Sequence, residues 1–344
     1  MKKILLFAVC FLLSFAAFSQ EKYFRPVQIN FGFPLSTTNV KKAKEYTNAF
    51  SINLLVGISK NERSLALAGV GNVISNNATG LQIAGVSNYI GNAGNGIAVA
   101  GVTNINKGAY NGIQVSGVYN YSGSGNGIAV AGVANMSKGS YNGLQLSGVT
   151  NIAGDVKGLQ FAGVMNIAKK VKGVQFATIL NVAEESDFPI AFINIIKNGK
   201  MGVALSYDNM NNTMLSFRSG GKYTYGILGV GYNNKVNDGS NIVAEAGYGI
   251  HIPITNWLEI NNEFKATSVG FSDDKTCFNA SYLLAPSFTF LNHFNVFGGA
   301  SFNYFMSDYV NSNDLIPNNY FWSKDGNYNQ RMYIGYQIGL QYVF

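Results

Sequence analysis

The side chains here that could move protons, attack a carbonyl or hold a metal are few: two histidines, two cysteines and 17 acidic residues in 344. His251 and His293 belong to no HExxH-type pattern, and Cys277, the one thiol beyond the first twenty residues, cannot start a zinc site alone. Glu184-Glu185 with Asp187, Asp273-Asp274, and the pair Asp308 and Asp314 offer carboxylates for acid/base work, but they fall among turn residues, where solvated charge is the ordinary outcome. The glycine-rich stretches Gly91–Gly96 and Gly226–Gly231 lead into no amphipathic helix and no Gly-Lys-Ser/Thr, so hairpin turns are expected there instead of a phosphate cradle. No nucleophile, base and orienting group stand in a catalytic pattern. The expectation is a chain that is not an enzyme and has no catalytic, cofactor or metal site.

Amides and aromatics are the other candidates. Gln82, Gln114, Gln145, Gln160 and Gln175 recur at one position of a repeat, and Asn88, Asn104, Asn120, Asn135, Asn151, Asn166 and Asn181 at another. They are the candidate lining of an uncharged lumen. The contiguous Tyr320, Phe321 and Trp322 fall in an expected loop, where such rings mark contact with a partner or a plug. The remaining rings of the second half read as girdles at two membrane boundaries.

The elements that place these residues are repeats. Segments beginning at Gly80, Gly96, Gly112, Gly127, Gly143, Gly158 and Gly173 share the form G-[LIV]-[QA]-[LIVF]-[AS]-G-V-x-N, with looser copies on either side and a spacing of 15 or 16 residues. In each copy one parity is apolar (Leu159, Phe161, Gly163, Met165) and the other small or polar (Gln160, Ala162, Val164, Asn166), which is a strand pattern. The class is all-β. Asn-Gly pairs at 95–96, 111–112, 126–127 and 142–143 are hairpin signals between alternating apolar runs, although glycine also lets stacked backbones approach closely.

Two architectures fit a 15–16-residue period. In the first, each unit is one strand of an antiparallel up-and-down outer-membrane barrel of 16–20 strands, since ten residues at ~3.3 Å, tilted about 45°, span roughly the hydrocarbon band of an outer membrane. In the second, each unit is one coil of a β-solenoid, with the asparagines stacked as a ladder, followed by a C-terminal barrel of about eight strands. Residues 95–125 and 126–156 agree at 20 of 31 positions, and this two-unit period favours hairpins. The rhythm runs on without a linker to Ile334, Tyr336, Ile338, Leu340, Tyr342 and Phe344, and no segment is apolar enough for a transmembrane helix. The longest irregular segments, Pro34–Thr47 and Ser307–Arg331, would then share the extracellular side.

Residues 1–19 read as a secretory signal: Lys2 and Lys3, an apolar run, then Ala17-Phe18-Ser19. The expected organisation is therefore 1–19 as signal and 20–344 as one barrel, with repeat strands over 63–197 and C-terminal barrel strands over 198–344. Only 12% of the chain is charged, and the basic residues are scattered, which argues against nucleic acid. Lys107, Lys138, Asp155 and Lys157 are the only charges between Arg63 and Lys169, sparse for a surface in water.

The repeat unit closely resembles that of the surface-repeat proteins of Leptospira and Bacteroidetes, and the stretch Phe188–Tyr232 is similar to the segment that follows the repeats in the Bacteroidetes members. The resemblance implies an exported outer-membrane or cell-surface protein of a Gram-negative-type bacterium, and it supplies no catalytic residues. The aromatic last strand ending in Phe344 resembles the insertion signal of outer-membrane barrels, which implies two partners, the barrel-insertion machinery and outer-membrane lipid. The leading functional expectation is an integral outer-membrane protein acting as a passive, porin-like channel. The alternative is a surface-displayed repeat protein with an adhesive or envelope-structural role. If the amide parity lines water, Gln160→Lys should be tolerated and Leu159→Lys should block insertion.

Overall fold

The structure, a computed structural model, describes residues 23–32, 35–36, 40–236, 241–270, 277–308 and 315–344. The expected signal at 1–19 lies outside these residues. The chain divides into two compact units, Met1–Ala162 and Gly163–Phe344.

In the first unit each repeat is one coil, made of a longer and a shorter strand. Ala78–Ala84 and Ser87–Ile90 form one coil, and Gly94–Ala100 with the start of Thr103–Ser116 forms the next. Successive coils pair in parallel and in register, so that like stacks on like: Asn104 lies opposite Asn88 and Asn120, and Gly112 opposite Gly96 and Gly127. The chain is all-β, and of the two arrangements weighed above it adopts a solenoid followed by an eight-stranded barrel. The Asn-Gly pairs do not make hairpins. Asn111-Gly112 lies inside the strand Thr103–Ser116, where Gly112 has φ of 125° and bends the coil without reversing it. A Cβ at Gly112 would sit 2.0 Å from the Gly96 carbonyl oxygen, so this edge is closed to any other residue.

The two-unit period also has another cause. Tyr110 lies over Gly94 and Tyr141 over Gly125, each ring within 2.5 Å of where a glycine Cβ would stand. Beside them Gln82, Ala98, Gln114 and Ala129 alternate long and short side chains along the stack. The period is therefore large-against-small packing between neighbouring coils, not the alternation of two hairpin ends.

The second unit opens with more coils of the same kind. Met165–Ile167 pairs in parallel with Leu180–Ala183, Lys170–Ala177 with Glu185–Ile190, and Leu180–Ala183 with Ile193–Ile196. Then the pairing changes hand. Met201–Asp208, Asn212–Gly220, Thr224–Asn233, Ile242–Pro253, Leu258–Val269, Cys277–Phe290, Phe294–Ser307 and Asn329–Val343 each pair antiparallel with the next. The last strand returns to the first, from Gly202 opposite Val343 to Asp208 opposite Gln337, and closes a barrel of eight strands. Closure leaves none of the eight with an open edge. The segments 221–223, 254–257 and 291–293 make one end of short turns, and the longer connections lie at the other end. Within the segment expected to be irregular from 307 to 331, Tyr320–Lys324 is a strand paired with Asn329–Val343.

Candidate functional site

Alternation along each barrel strand sorts side chains by polarity. Ile334, Tyr336, Ile338, Leu340 and Tyr342 are exposed on the outside, while Gln337 and Gln341 between them are buried inside. Arg218, Glu245, Glu259, Glu263 and Lys265 are also buried. The barrel is apolar outward and polar inward, the reverse of a protein whose outer face meets water.

The inward charges form one balanced network. Arg218 Nη2 lies 2.9 Å from Glu263 Oε1, and Lys265 Nζ lies 3.1 Å from Glu245 Oε2 and 3.6 Å from Glu263 Oε2. Tyr225 donates its hydroxyl to Glu263 at 2.8 Å and stacks on His251 at 4.1 Å, and Ser216 donates to Glu245 at 3.0 Å. Lys265 also donates to Gln337, and Arg218 lies over the Phe297 ring at 4.2 Å. Towards the short-turn end, Glu259 is paired with Lys200 at 2.6 Å and lies 3.6 Å from His251. Towards the long-loop end the interior is apolar: Met214, Val243, Phe305 and Tyr333 pack with Leu315 and Ile316 from the long connection. Eight strands enclose a bore that side chains just fill, and here they fill it with paired charge in the middle and an apolar stopper at one mouth. His251 is thus a structural member of this interior, and its ring nitrogen Nδ1 faces Asn261 at 3.1 Å.

The amides expected to line a lumen lie elsewhere. Gln82, Gln114, Gln145, Gln160 and Gln175 are buried inside the coils, none more than 3% exposed. Asn88, Asn104, Asn120, Asn135, Asn151, Asn166 and Asn181 are buried beside them. Each asparagine uses both amide hydrogens: Asn104 Nδ2 donates to Asn120 Oδ1 at 2.9 Å and to the Val115 carbonyl at 2.8 Å, and Asn88 donates to Asn104 and Val99 at 2.9 and 2.8 Å. The same step recurs from Asn72 to Asn88, from Asn120 to Asn135 and from Asn135 to Asn151. In the second unit it runs from Asn166 to Asn181 and from Asn181 to Asn194, both at 3.0 Å. Gln160 donates to Gln145 at 2.8 Å. Buried amides are stable when their hydrogen bonds are met, and parallel stacking in register meets those of the asparagines, while Gln82 Oε1 and Gln114 Nε2 find no partner. Gln160→Lys would therefore bury an ammonium in this ladder, and its expected tolerance is withdrawn. The apolar parity does face outward, as in the barrel, with Leu159 exposed.

Tyr320, Phe321 and Trp322 are exposed on their short strand at the long-loop end and do not enter the bore. Phe321 lies against Phe302 of the outer wall at 5.6 Å, and Arg331 lies over the Tyr320 ring at 5.0 Å. At the short-turn end Trp257 stacks on Phe288, and Phe290, Phe294, Tyr342 and Phe344 form a run of ring contacts. Exposed aromatic rings thus gather at both ends of the barrel. Two apolar grooves of about 630 and 710 Å³ lie on the wall between them, the first bordered by Val203, Leu215 and Val230 and the second by Leu205, Phe288 and Ile338.

Near the start of the first unit, Glu62 is buried inside the coils. Its Oε1 accepts from Ser51 at 2.7 Å and from Asn48 at 3.0 Å, and its Oε2 has no partner. Burial pushes its carboxyl up to about 7 against the opposing pull of those hydrogen bonds.

Glu245, Glu259 and Glu263, which fall inside alternating strand segments, are a sequence signal for the barrel network, because an outward charge would be penalised in lipid. Lys265, two residues from Glu263 on the same strand, shares its face by alternation and is legible in the same way, whereas Arg218 carries no comparable signal, since only the fold brings it to Glu263. Among the described residues no three His, Cys, Asp or Glu side chains gather as metal ligands. Compared with family models, curated proteins and solved structures, the chain matches none.

Proposed function

We propose that this protein is an envelope-structural protein of a bacterial outer membrane, in which the eight-stranded barrel is the lipid anchor and the solenoid is the working part. The observation that carries the reading is the polarity of the barrel: exposed Ile334, Ile338 and Leu340 outside, paired Arg218, Glu263 and Lys265 inside. A charged interior under an apolar wall is stable when lipid surrounds the wall. The aromatic girdles, and the resemblance of the repeats to bacterial surface-repeat proteins, support the same placement. Phe344 closes the sheet, its N–H donating to Met201 O at 3.0 Å, where the insertion machinery would read the last strand.

The filled bore disfavours conduction, so the anchor reading is preferred to a porin. The coils leave the barrel at its short-turn end: Thr224 donates to the Pro189 carbonyl at 2.7 Å, and Phe188 stacks on Tyr223 at 5.1 Å. Outer-membrane barrels keep short turns on the periplasmic side and longer loops outside. The coils of the second unit would accordingly lie in the periplasm, which favours an envelope-structural role over adhesion. The test is to extract the full chain from outer-membrane fractions in mild detergent and compare its gel mobility with and without boiling. A heat-modifiable band without channel activity in planar bilayers supports the reading. Recovery in the soluble fraction contradicts the anchor, and a steady open conductance contradicts the filled bore.

A further inference from the structure

We propose that the first coils hold a monovalent metal cation, bound by the Glu62 carboxylate with the side-chain oxygens of Asn48, Ser51 and Ser59. The inference concerns the first unit alone and is independent of the membrane reading of the barrel.

The repeat itself marks the place. Ser51 stacks on Ala66, Ser59 on Ile74 and Glu62 on Ala78, so the coil that follows carries apolar residues at all three positions. Ala66, Ile74 and Ala78 are fully buried, which makes these core positions. On the other side Gln28 lies opposite Ser51, and Asn48 opposite Glu62. The side chains of Gln28, Asn48, Ser51, Ser59 and Glu62 thus bring oxygen into a core that the next coil fills with Ala and Ile.

The oxygens of this cluster outnumber the hydrogens offered to them. Asn48 Nδ2 donates towards Gln28 Oε1, towards Ser51 Oγ at 3.1 Å and towards Glu62 Oε1 at 3.0 Å, so that three acceptors crowd around an amide with two hydrogens. Ser51 donates to Glu62 Oε1 at 2.7 Å, and the Gln28 amide is spent on the Ile58 carbonyl at 3.4 Å. Asn48 Oδ1, Ser59 Oγ and Glu62 Oε2 have no partner, although these residues are only 0, 1 and 3% exposed. The Ser59 hydroxyl faces the same carboxyl. Among the described residues no cation is paired with Glu62; Arg25 lies over the Tyr46 ring at 4.1 Å and Arg63 over the Phe24 ring at 5.7 Å.

A buried carboxylate without a counter-charge is strongly disfavoured. A hard cation, which takes oxygen ligands, supplies both the missing charge and the missing partners. The cluster carries one negative charge, so a monovalent ion leaves it neutral, whereas a divalent ion would leave a net positive charge in the core. The ion also has a way in, because Glu62 borders a groove of about 450 Å³ lined otherwise by polar residues, among them Asn61, Ser64, Asn76 and Thr79. In ion-free solution a proton takes the ion's place on the carboxylate.

The experiment follows hydrogen exchange in 47–68 of the full chain in mild detergent at pH 8, above the value of about 7 to which burial raises the carboxyl. Sodium, potassium and calcium chloride are each compared with tetramethylammonium chloride at equal ionic strength. The expected result is a saturable slowing by sodium or potassium, roughly tenfold at about ten times the half-saturating concentration, with exchange in 141–167 unchanged. Glu62→Gln should abolish the response. Ser59→Ala, which removes one ligand and keeps the charge, should raise the half-saturating concentration several-fold. Slowing that tetramethylammonium reproduces, or that survives Glu62→Gln, overturns the proposal, as does exchange that no salt alters. A response to calcium alone overturns it too, since the charge count behind it would be wrong. If Glu62→Gln does not fold, Ser59→Ala decides, and an unchanged half-saturating concentration there overturns the proposal.

Discussion

Asn194 ends the asparagine ladder on Ser219 of a barrel strand: its Nδ2 donates to the Ser219 carbonyl at 3.2 Å, and its backbone N–H donates to the Ser219 hydroxyl at 2.9 Å. The same amide accepts from Asn181 at 3.0 Å and donates to the Ala191 carbonyl at 2.9 Å. A stack of parallel coils must finish somewhere, and an unmet last rung would leave buried polar groups open. In the second unit a barrel strand receives that rung.

Asn194→Ala should therefore loosen the coils next to the barrel more than the barrel itself. Removing one partner of several buried hydrogen bonds costs about 1–3 kcal/mol. Hydrogen exchange of amides in 180–196 should accelerate by one to two orders of magnitude, by the usual conversion of about 1.4 kcal/mol per factor of ten. Exchange in 258–290 should stay unchanged. Equal acceleration in both segments would show that the ladder's last rung is not a local device.

Gly112→Ala tests the close stacking of coils. The methyl would meet the Gly96 carbonyl oxygen at 2.0 Å, at a φ of 125° that L side chains rarely adopt. Strain of this kind costs on the order of 1–3 kcal/mol before the clash is added. Asn111→Ala, one residue earlier and exposed, should shift stability by less than about 0.5 kcal/mol. Thermal unfolding followed by circular dichroism separates the two, and similar midpoints would contradict the stacking.

Glu62 gives the coils a pH dependence. Its folded carboxyl lies near 7 against an ordinary 4.5, so the folded state binds the proton more tightly than the unfolded one. The stabilisation is complete below about 4.5 and is lost as pH rises through 7. By the conversion of pKa shift to free energy, this amounts to an order of 3 kcal/mol in local stability. Exchange in 47–68 should speed up between pH 5 and about 8, after correction for the intrinsic base-catalysed rate. Glu62→Gln should flatten that profile. A profile unchanged by the substitution would remove Glu62 as its source.

Leu159→Lys and Gln160→Lys should act at different stages. Gln160 is fully buried and bonded to Gln145, so a lysine there disrupts the coil itself and should raise protease sensitivity in 141–167 even in detergent. Leu159 faces outward, so Leu159→Lys should leave the detergent-solubilised coil protease-resistant. The reverse order of sensitivities would mean that the register is shifted by one residue.

The period-two rhythm made the all-β class legible, and the parity of Leu159 and Ile334 gave the outward face. Two signals pointed the wrong way for a physical reason. Asn111-Gly112 is the same dipeptide whether positive φ reverses a chain or bends a coil, and local sequence does not carry the difference. The two-unit period was equally mute, because Tyr110 over Gly94 is a contact between coils and alternation by itself suits hairpins as well. The amides Asn104 and Gln160 were correctly set apart as one polar face. Which space that face encloses depends on parallel pairing, a long-range property. Arg218 escaped notice because its partner Glu263 is distant in sequence and meets it only once the barrel closes, whereas Lys265, two residues from Glu263 on one strand, shares its face by alternation alone.

The central claim is that lipid surrounds the barrel wall, and a spin-label scan of the last strand tests it most directly. Single nitroxides would be placed in turn from 334 to 342 in vesicle-reconstituted full chain, and collision with oxygen compared with collision with a water-soluble nickel chelate. The account expects a period of two, with oxygen favoured at 334, 336, 338, 340 and 342 and both collisions low at 335, 337, 339 and 341. High nickel accessibility at 336, 338 and 340 in the folded protein would contradict it, because the wall would then stand in water.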